Sequence, residues 1–419
     1  MRRPTGFGGR SRVRRGGVLG DAPDGSPAAR RLWLWTSACA VSIGVYLLAR
    51  HLSHPSMVDL VVYRAEGLAV REGIDLYGPL DTPHGLRATY PPFAALLFVP
   101  LTYLPEDVLL GLGVVVNLLL VAIVVRLSMR LVDPGGTRLG PWVLAAASTF
   151  ALWFEPVFTT MRYGQVNLAV LAVVLWDFGR PPGARLRGAG LGLVAGIKVT
   201  PAVFVVYLLL TGRRREALTA IGTAAGTVVF SAVLLPGATR RFWTDLVFTP
   251  ERVGRVENAA NQSARGLLTR VTRLFDPGIG GTATIVAVGV LGMLCAVIAH
   301  RRRGDAWGLP AAAVAGLLAS PISWSHHWVW CVPIAILLWA GLRGPNARPE
   351  TLLSAGLIVF PSFLVWSVPH LPGQEWHLTG FELLRSSCYV AFGAAFLLVA
   401  ARPEPEPSRR AERSSALSG

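Results

Sequence analysis

The sequence predicts an all-α integral membrane protein, a bundle of about twelve transmembrane helices, and three observations carry that prediction. Of the 419 residues, 52% are hydrophobic and only 15% are charged, a balance outside the range of soluble domains. Apolar runs of helical length recur along the chain, at 32–50, 107–131, 141–158, 165–178, 186–197, 201–210, 216–235, 282–300, 307–320, 327–342, 351–366 and 382–401. Arginines cluster in the short links between those runs, where they report topology. The net charge of +16 is therefore no sign of a nucleic-acid partner, because no basic, aromatic-laced module holds it.

Residues 1–31 are rich in Arg, Gly and Pro without an apolar stretch, so they are expected to form a disordered cytoplasmic arm rather than a cleavable signal. Residues 32–401 make up the polytopic domain. Residues 402–419 are short, charged and contain Pro and Ser, and are expected to be a disordered cytoplasmic tail. Cys39, Cys295, Cys331 and Cys388 all lie inside apolar runs with no metal or redox spacing, as small core residues do.

The runs 186–197 and 201–210 are either one straight crossing with Lys198 at its centre or two short helices meeting at a break. Arginine placement favours the break: with Lys198 facing outward, 26 of the 40 basic residues lie on the inner side. A single crossing inverts every later link and moves arginine-rich short loops outside. A lysine at mid-bilayer costs about 3 kcal/mol on insertion scales, and much less at a break that lines a wet cavity. The outer side then collects 57–106, 159–165, Lys198, 236–281, 320–327 and 367–381, and with them nearly every chemically unusual residue.

The first outer loop, 51–106, is expected to hold two helices lying along the membrane surface. On the first, Asp59, Tyr63 and Glu66 fall on one face. The second opens with Pro91 and Pro92 and stops at Pro105, so its length of roughly 20 Å falls short of a hydrocarbon core of about 30 Å. Asp59 is the leading candidate for a chemical role, although a carboxylate that opens a helix commonly serves as its N-cap. Glu66 is its rival, and Asp75 and Asp81 read as turn residues.

Lys198 is the only lysine in a chain that otherwise uses arginine, and a compact ammonium suits a phosphate as a point charge. In SPISWSHHWVW, His326 and His327 sit between tryptophans at an interface; binding an anion, orienting a base and satisfying each other are all open readings. Adjacent histidines give no favourable zinc face, so no metal is expected. Arg162, Gln165 and Asn167 in MRYGQVN, and Asn261 and Gln262 in NQSARG, supply further donors. NQS also matches a glycosylation sequon, a common chance match. Arg240, Arg241, Arg252 and Arg255 are expected to contact lipid headgroups. An outward cavity with one strong carboxylate, a phosphate-binding cation and many amides and aromatics suits transfer of a sugar from a lipid phosphate. The phosphate leaves with its own negative charge, so one base is sufficient.

DLVVYRAEG at 59–67, YPP at 90–92, GQVN at 164–167, GIKVTP at 196–201, NQSARG at 261–266 and SPISWSHHWVW at 320–330 stand in one order. In this the chain resembles the polyprenyl-phosphate-mannose-dependent α-(1→2)-mannosyltransferases of actinobacteria, glycosyltransferase family 87. The resemblance spans 32–401. It implies a C-type glycosyltransferase fold with juxtamembrane helices in the first extracytoplasmic loop, and an inverting mechanism that needs neither metal nor cofactor beyond the lipid-linked donor. It maps the catalytic aspartate onto Asp59 and an outer histidine element onto His326 and His327. It also places Lys198, Gln165 and Asn167 at the donor phosphate and sugar, and Tyr63, Glu66, Arg162, Asn261 and Gln262 are carried as further substrate-binding candidates. The implied partners are a polyprenyl-phosphate-mannose donor, membrane lipid and a glycolipid or lipoglycan acceptor at the outer face of the plasma membrane. The alternatives from other classes are a transporter or flippase of a polyprenyl-linked sugar, which calls for internal repeats and polar residues in several spans, and a non-catalytic scaffold.

Overall fold

A computed structural model describes residues 26–53, 57–136, 139–274, 278–342 and 348–403, and their regular structure is helical. The expected arm and tail lie mostly outside the described residues, and helix α1 (Pro27–Ser53) starts ahead of the apolar run expected from residue 32. After it come the two short helices of the first loop, α2 (Val58–Glu72) and α3 (Pro92–Phe98), the latter continued by a 3-10 turn over Val99–Tyr103. At 1.5 Å per residue, α2 measures only about 22 Å. Gly67 brings α2 onto this turn: a Cβ there would stand 2.6 Å from the carbonyl oxygen of Phe98.

The first long helix after the loop is α4 (Glu106–Val132), whose Val115, Val116 and Leu119 face outward as a lipid-exposed stripe does. Helices α5 (Pro141–Ala151) and α6 (Glu155–Tyr163) meet at a 70° bend, so the expected straight crossing at 141–158 is broken. Helix α7 (Asn167–Phe178) follows immediately, because Gly164 takes a left-handed φ of 71° that ends α6 and reverses the chain at Gln165.

Helices α8 (Ala189–Ile197) and α9 (Val203–Leu210) are the two pieces flanking Lys198. Lys198 is extended (φ −142°), and Pro201, which has no N–H to donate, prevents the helix from running through. The free ends of the pair return to the same place. Arg187, ahead of α8, and Arg213, after α9, both hold the Glu216 carboxylate, at 3.3 and 2.7 Å. The segment therefore turns back on itself at Lys198, the arrangement that the arginine distribution favours.

Helix α10 (Arg214–Leu234) leads into α11 (Pro236–Thr244) and α12 (Ala264–Thr272), so the expected long loop at 236–281 is partly helical. Beyond α13 (Gly278–Arg303) and α14 (Asp305–Ala319), a 3-10 turn at Ser325–Trp330 runs into α15 (Cys331–Gly341). Two further expected crossings are interrupted. Helix α16 (Arg348–Gly356) dissolves into turns near the left-handed Phe363, and α17 (Gly380–Arg385) is separated from α18 (Cys388–Ala400) at Ser386 and Ser387.

Among the described residues four helices, α1, α4, α10 and α13, are long and apolar enough to cross a membrane, or five if the bent pair α5 and α6 counts as one. Among the described residues, glycine, proline and polar breaks divide several of the twelve expected apolar runs into shorter helices. The main core lies where α7, α14, α15 and α18 meet, around Leu168, Leu171, Val314, Trp328 and Phe396.

Candidate active site

A cavity of about 610 Å³ opens at the end of the bundle where α2, the Lys198 break and the Ser325–Trp330 turn converge. That volume falls within the range of small-molecule sites, roughly 300–1,000 Å³. Asp59 and Lys198 both line it, as do Tyr63, Gln165, His326 and His327.

Asp59 stands in the first turn of α2, but it does not cap the helix. The cap position is Met57, held in a left-handed conformation (φ 37°) without a side-chain hydrogen bond. Asp59 instead bonds to Gln165. Gln165 Oε1 accepts the hydroxyls of Tyr63 and Tyr90, each at 2.9 Å, which leaves its amide N–H groups as the donors to Asp59. Burial pushes both phenols upward, keeping them as hydroxyl donors. Burial also pushes Asp59 up to about 6, against the hydrogen bond from Gln165 and the charge of Lys198, which lower it. At neutral pH it is a largely ionised base of raised strength.

Lys198 is 7% exposed, and its ammonium donates to Asn167 Oδ1 at 2.7 Å. His327 Nε2 lies 3.2 Å from the same nitrogen. An ammonium has donors only, so Nε2 accepts and the imidazole carries its proton on Nδ1. Two of the three N–H groups are thereby occupied, and the third remains for a ligand. Asn167 Nδ2 in turn donates to the His326 backbone oxygen at 2.9 Å, and Thr160 donates to that oxygen at 3.1 Å. The His326 ring packs edge-on against Tyr163 and His327, while its buried Nε2 has no hydrogen-bond partner.

The other expected site residues divide by burial. Glu66 is fully buried one turn below Tyr63, outside the cavity lining. It is pushed up to about 8 by burial, with a backbone bond from Thr89 and the charge of Arg252 acting the other way. Arg162 is exposed and packs on Tyr163 instead of entering the cavity. Asn261 and Gln262 are completely buried, and backbone groups use both side-chain amides. Asn261 bonds Val256 and Ser323, and Gln262 bonds Ala259, Ser386 and Tyr389. They brace the strand-like stretch before the histidines and do not meet the cavity; the same burial takes the sequon out of reach.

Arg252 was expected to contact lipid headgroups. It instead lines the cavity and donates to the carbonyls of Leu246, Ala88 and Thr89. Arg241 and Arg255 are likewise bound to acids, Asp75 and Glu375. Tyr90, Tyr163 and Trp366 are cavity residues that sequence reasoning did not assign. For Tyr90 and Tyr163 the signal is present, since each lies within a motif already singled out, YPP and MRYGQVN.

Comparison with known proteins gives this site first a class: the chain is a membrane-bound glycosyltransferase. The profile of glycosyltransferase family 87 matches residues 88–321. The polyprenol-phosphate-mannose-dependent alpha-(1-2)-phosphatidylinositol pentamannoside mannosyltransferase of Mycobacterium tuberculosis (strain CDC 1551 / Oshkosh) is 34% identical over 374 residues, 84% of each chain. The corresponding phosphatidylinositol mannoside mannosyltransferase of Mycobacterium tuberculosis (strain ATCC 25618 / H37Rv) is 32% identical over 407 residues, covering 90% of this chain and 93% of that one. On these matches the chain belongs to glycosyltransferase family 87. A crystal structure of ArnT from Cupriavidus metallidurans bound to undecaprenyl phosphate aligns with 87% of this chain and 78% of that one, at 16% identity and a TM-score of 0.40.

Proposed function

We propose that this chain transfers mannose from a polyprenyl phosphate mannose to a hydroxyl of a phosphatidylinositol mannoside or lipoglycan acceptor. The reaction runs at the outer face of the plasma membrane, within a C-type glycosyltransferase fold, and inverts the anomeric carbon without a metal. The observation that carries this reading is that Asp59 and Lys198, 139 positions apart in sequence, wall one cavity. The named relatives, which are dependent on polyprenol phosphate mannose, support the choice of donor. The transport reading has no support among them.

In the reaction, Asp59 takes the proton of the acceptor hydroxyl while its oxygen attacks the anomeric carbon from the face opposite the phosphate. The bond from that carbon to the phosphate oxygen breaks, and the phosphate leaves with the electron pair. The free N–H of Lys198 and the adjoining histidines meet the growing charge on that oxygen, where a fixed donor contributes most. Tyr63 and Tyr90 keep Gln165, and through it Asp59, in one orientation. A second, smaller pocket of about 70 Å³ begins at Lys198 and His327 and runs between α7, α9 and α14 past Val170, Leu171, Phe204 and Leu317. Its apolar wall suits the first isoprene units of the donor.

The test is Asp59→Asn in membranes holding normal amounts of the variant, supplied with labelled polyprenyl phosphate mannose. Wild type should place label in a new glycolipid and the variant should not. Undiminished labelling by the variant removes Asp59 from the chemistry.

A further inference from the structure

Glu155 is completely buried at the start of α6, and four neutral donors converge on its carboxylate. Thr159 Oγ1, Ser325 Oγ and Trp366 Nε1 donate to Oε1 at 2.7, 2.8 and 2.7 Å, and Tyr389 Oη donates to Oε2 at 2.8 Å. Its backbone N–H donates to Phe360 O at 2.8 Å. A carboxylate only accepts, and can take several donors at once. A glutamine here would turn an N–H toward one of them and lose an acceptor. An apolar side chain would be easier to bury here but would leave these donors without a partner. What the carboxyl group provides is a single point where four separate segments must meet.

Two of those segments belong to the cavity. Ser325 directly precedes His326 and His327, and His327 touches Lys198. Trp366 stands in the cavity wall. A third, α6, carries Tyr163 and leads to Gln165, which holds Asp59. Only Tyr389, on α18, contributes nothing to the cavity lining. We propose that Glu155 is a positioning residue of the glycosyl transfer: through Ser325 it sets the height of the histidine turn against Lys198, and through Trp366 it fixes one wall of the cavity. This rests on the reading of Lys198 and the histidines as the groups that meet the departing phosphate.

Glu155→Gln addresses this directly, but four lost or weakened bonds can also prevent folding. Two milder variants avoid that. Ser325→Ala and Tyr389→Phe each delete one hydroxyl from the same carboxylate and leave three donors in place. Tyr389→Phe keeps its ring contacts with Phe360 and Trp328. A purely structural carboxylate predicts that both lose stability and that turnover per folded molecule is equal in the two. A positioning role predicts that Ser325→Ala lowers kcat at least about tenfold, since misplacing groups by a fraction of an ångström is costly in rate. Its KM for acceptor should be unchanged, Tyr389→Phe should keep wild-type kcat, and Ser325→Thr, which restores the hydroxyl, should recover turnover. Equal kcat in Ser325→Ala and Tyr389→Phe, whether both fall or neither does, overturns the proposal. The assay is run beside Asp59→Asn: if that variant is silent and the pair does not separate, the inference alone has failed, whereas an active Asp59→Asn removes the mechanistic reading beneath it.

Discussion

His327 Nε2 lies 3.2 Å from Lys198 Nζ, joining two motifs 129 residues apart into one cationic centre. The geometry is specific to an ammonium. Asn167 Oδ1 and the imidazole each take one N–H of a nearly tetrahedral head, whereas a guanidinium is a flat fork with different reach.

Lys198→Arg therefore keeps the charge but loses the fit. Its activity should fall about a hundredfold, close to that of Lys198→Met, with the deficit in kcat because the group acts on charge that develops as the bond breaks. Donor-saturation kinetics in membranes check this. An arginine variant with near wild-type kcat shows that charge alone suffices.

The raised Asp59 predicts a pH dependence. A base must be deprotonated, and burial has moved this carboxyl from the ordinary 3.8 to about 6. Activity should fall on the acid side with a midpoint near pH 6, instead of persisting to pH 4, and fall again above about pH 7, where burial has lowered the Lys198 ammonium that the departing phosphate needs. The profile of kcat/KM against pH, with labelled donor and fixed acceptor, reads the midpoint directly; a limb near 4 says that the ionising group is an exposed carboxylate elsewhere.

Glu66 gives a stability prediction of a different kind. Its buried carboxyl stays protonated up to about pH 8, whereas the unfolded group ionises near 4.5. Below 4.5 both states are neutral and the residue adds no pH dependence. Between 4.5 and 8 the unfolded state alone loses its proton, so stability falls as pH rises through this window. Glu66→Gln abolishes that slope. The variant should melt several degrees above wild type at pH 7.5, with little difference at pH 4.5, in detergent thermal scans. Equal melting temperatures at both pH values mean that Glu66 is ionised in the folded protein.

Much of this arrangement could be read from the chain before any coordinates. The break at Lys198 follows from arginine counting and the cost of an isolated charge, and the structure has it where Pro201 requires it. The face shared by Asp59 and Tyr63 follows from helical spacing alone. What could not be read is which polar residues turn inward to protein and which to the cavity. Asn261 and Gln262 look like ligand-binding amides, yet they are used by backbone groups brought in from 323 and 386, contacts that no local pattern encodes. The role of Glu155 is hidden from the sequence for the same reason: its partners come from Ser325, Trp366 and Tyr389, over 150 positions away. Hydropathy also sums over breaks such as the 70° bend between α5 and α6, so it does not show where an apolar run is divided.

The turn-back at Lys198 depends on Glu216, which gives the last prediction. Arg187 and Arg213 both hold this carboxylate, and Arg213 also reaches Asp305 at 2.8 Å, so that the ends of α8 and α9 are tied to each other and to α14. Their side chains are largely buried, with exposures of 8%, 15% and 17% for Arg187, Arg213 and Glu216. Removing the acid leaves two guanidiniums close together with one partner fewer, and breaking such a buried group costs about 3 kcal/mol. Glu216→Ala should therefore lower the melting temperature substantially while Arg214→Ala, one helix position from Arg215 and outside these pairs, should not. The cavity lies at the other end of the two helices, so the Glu216→Ala protein that remains folded at low temperature should retain its KM for both substrates. A normal melting temperature for Glu216→Ala shows that packing of α8 against α10, without the shared carboxylate, is enough to hold the turn in place.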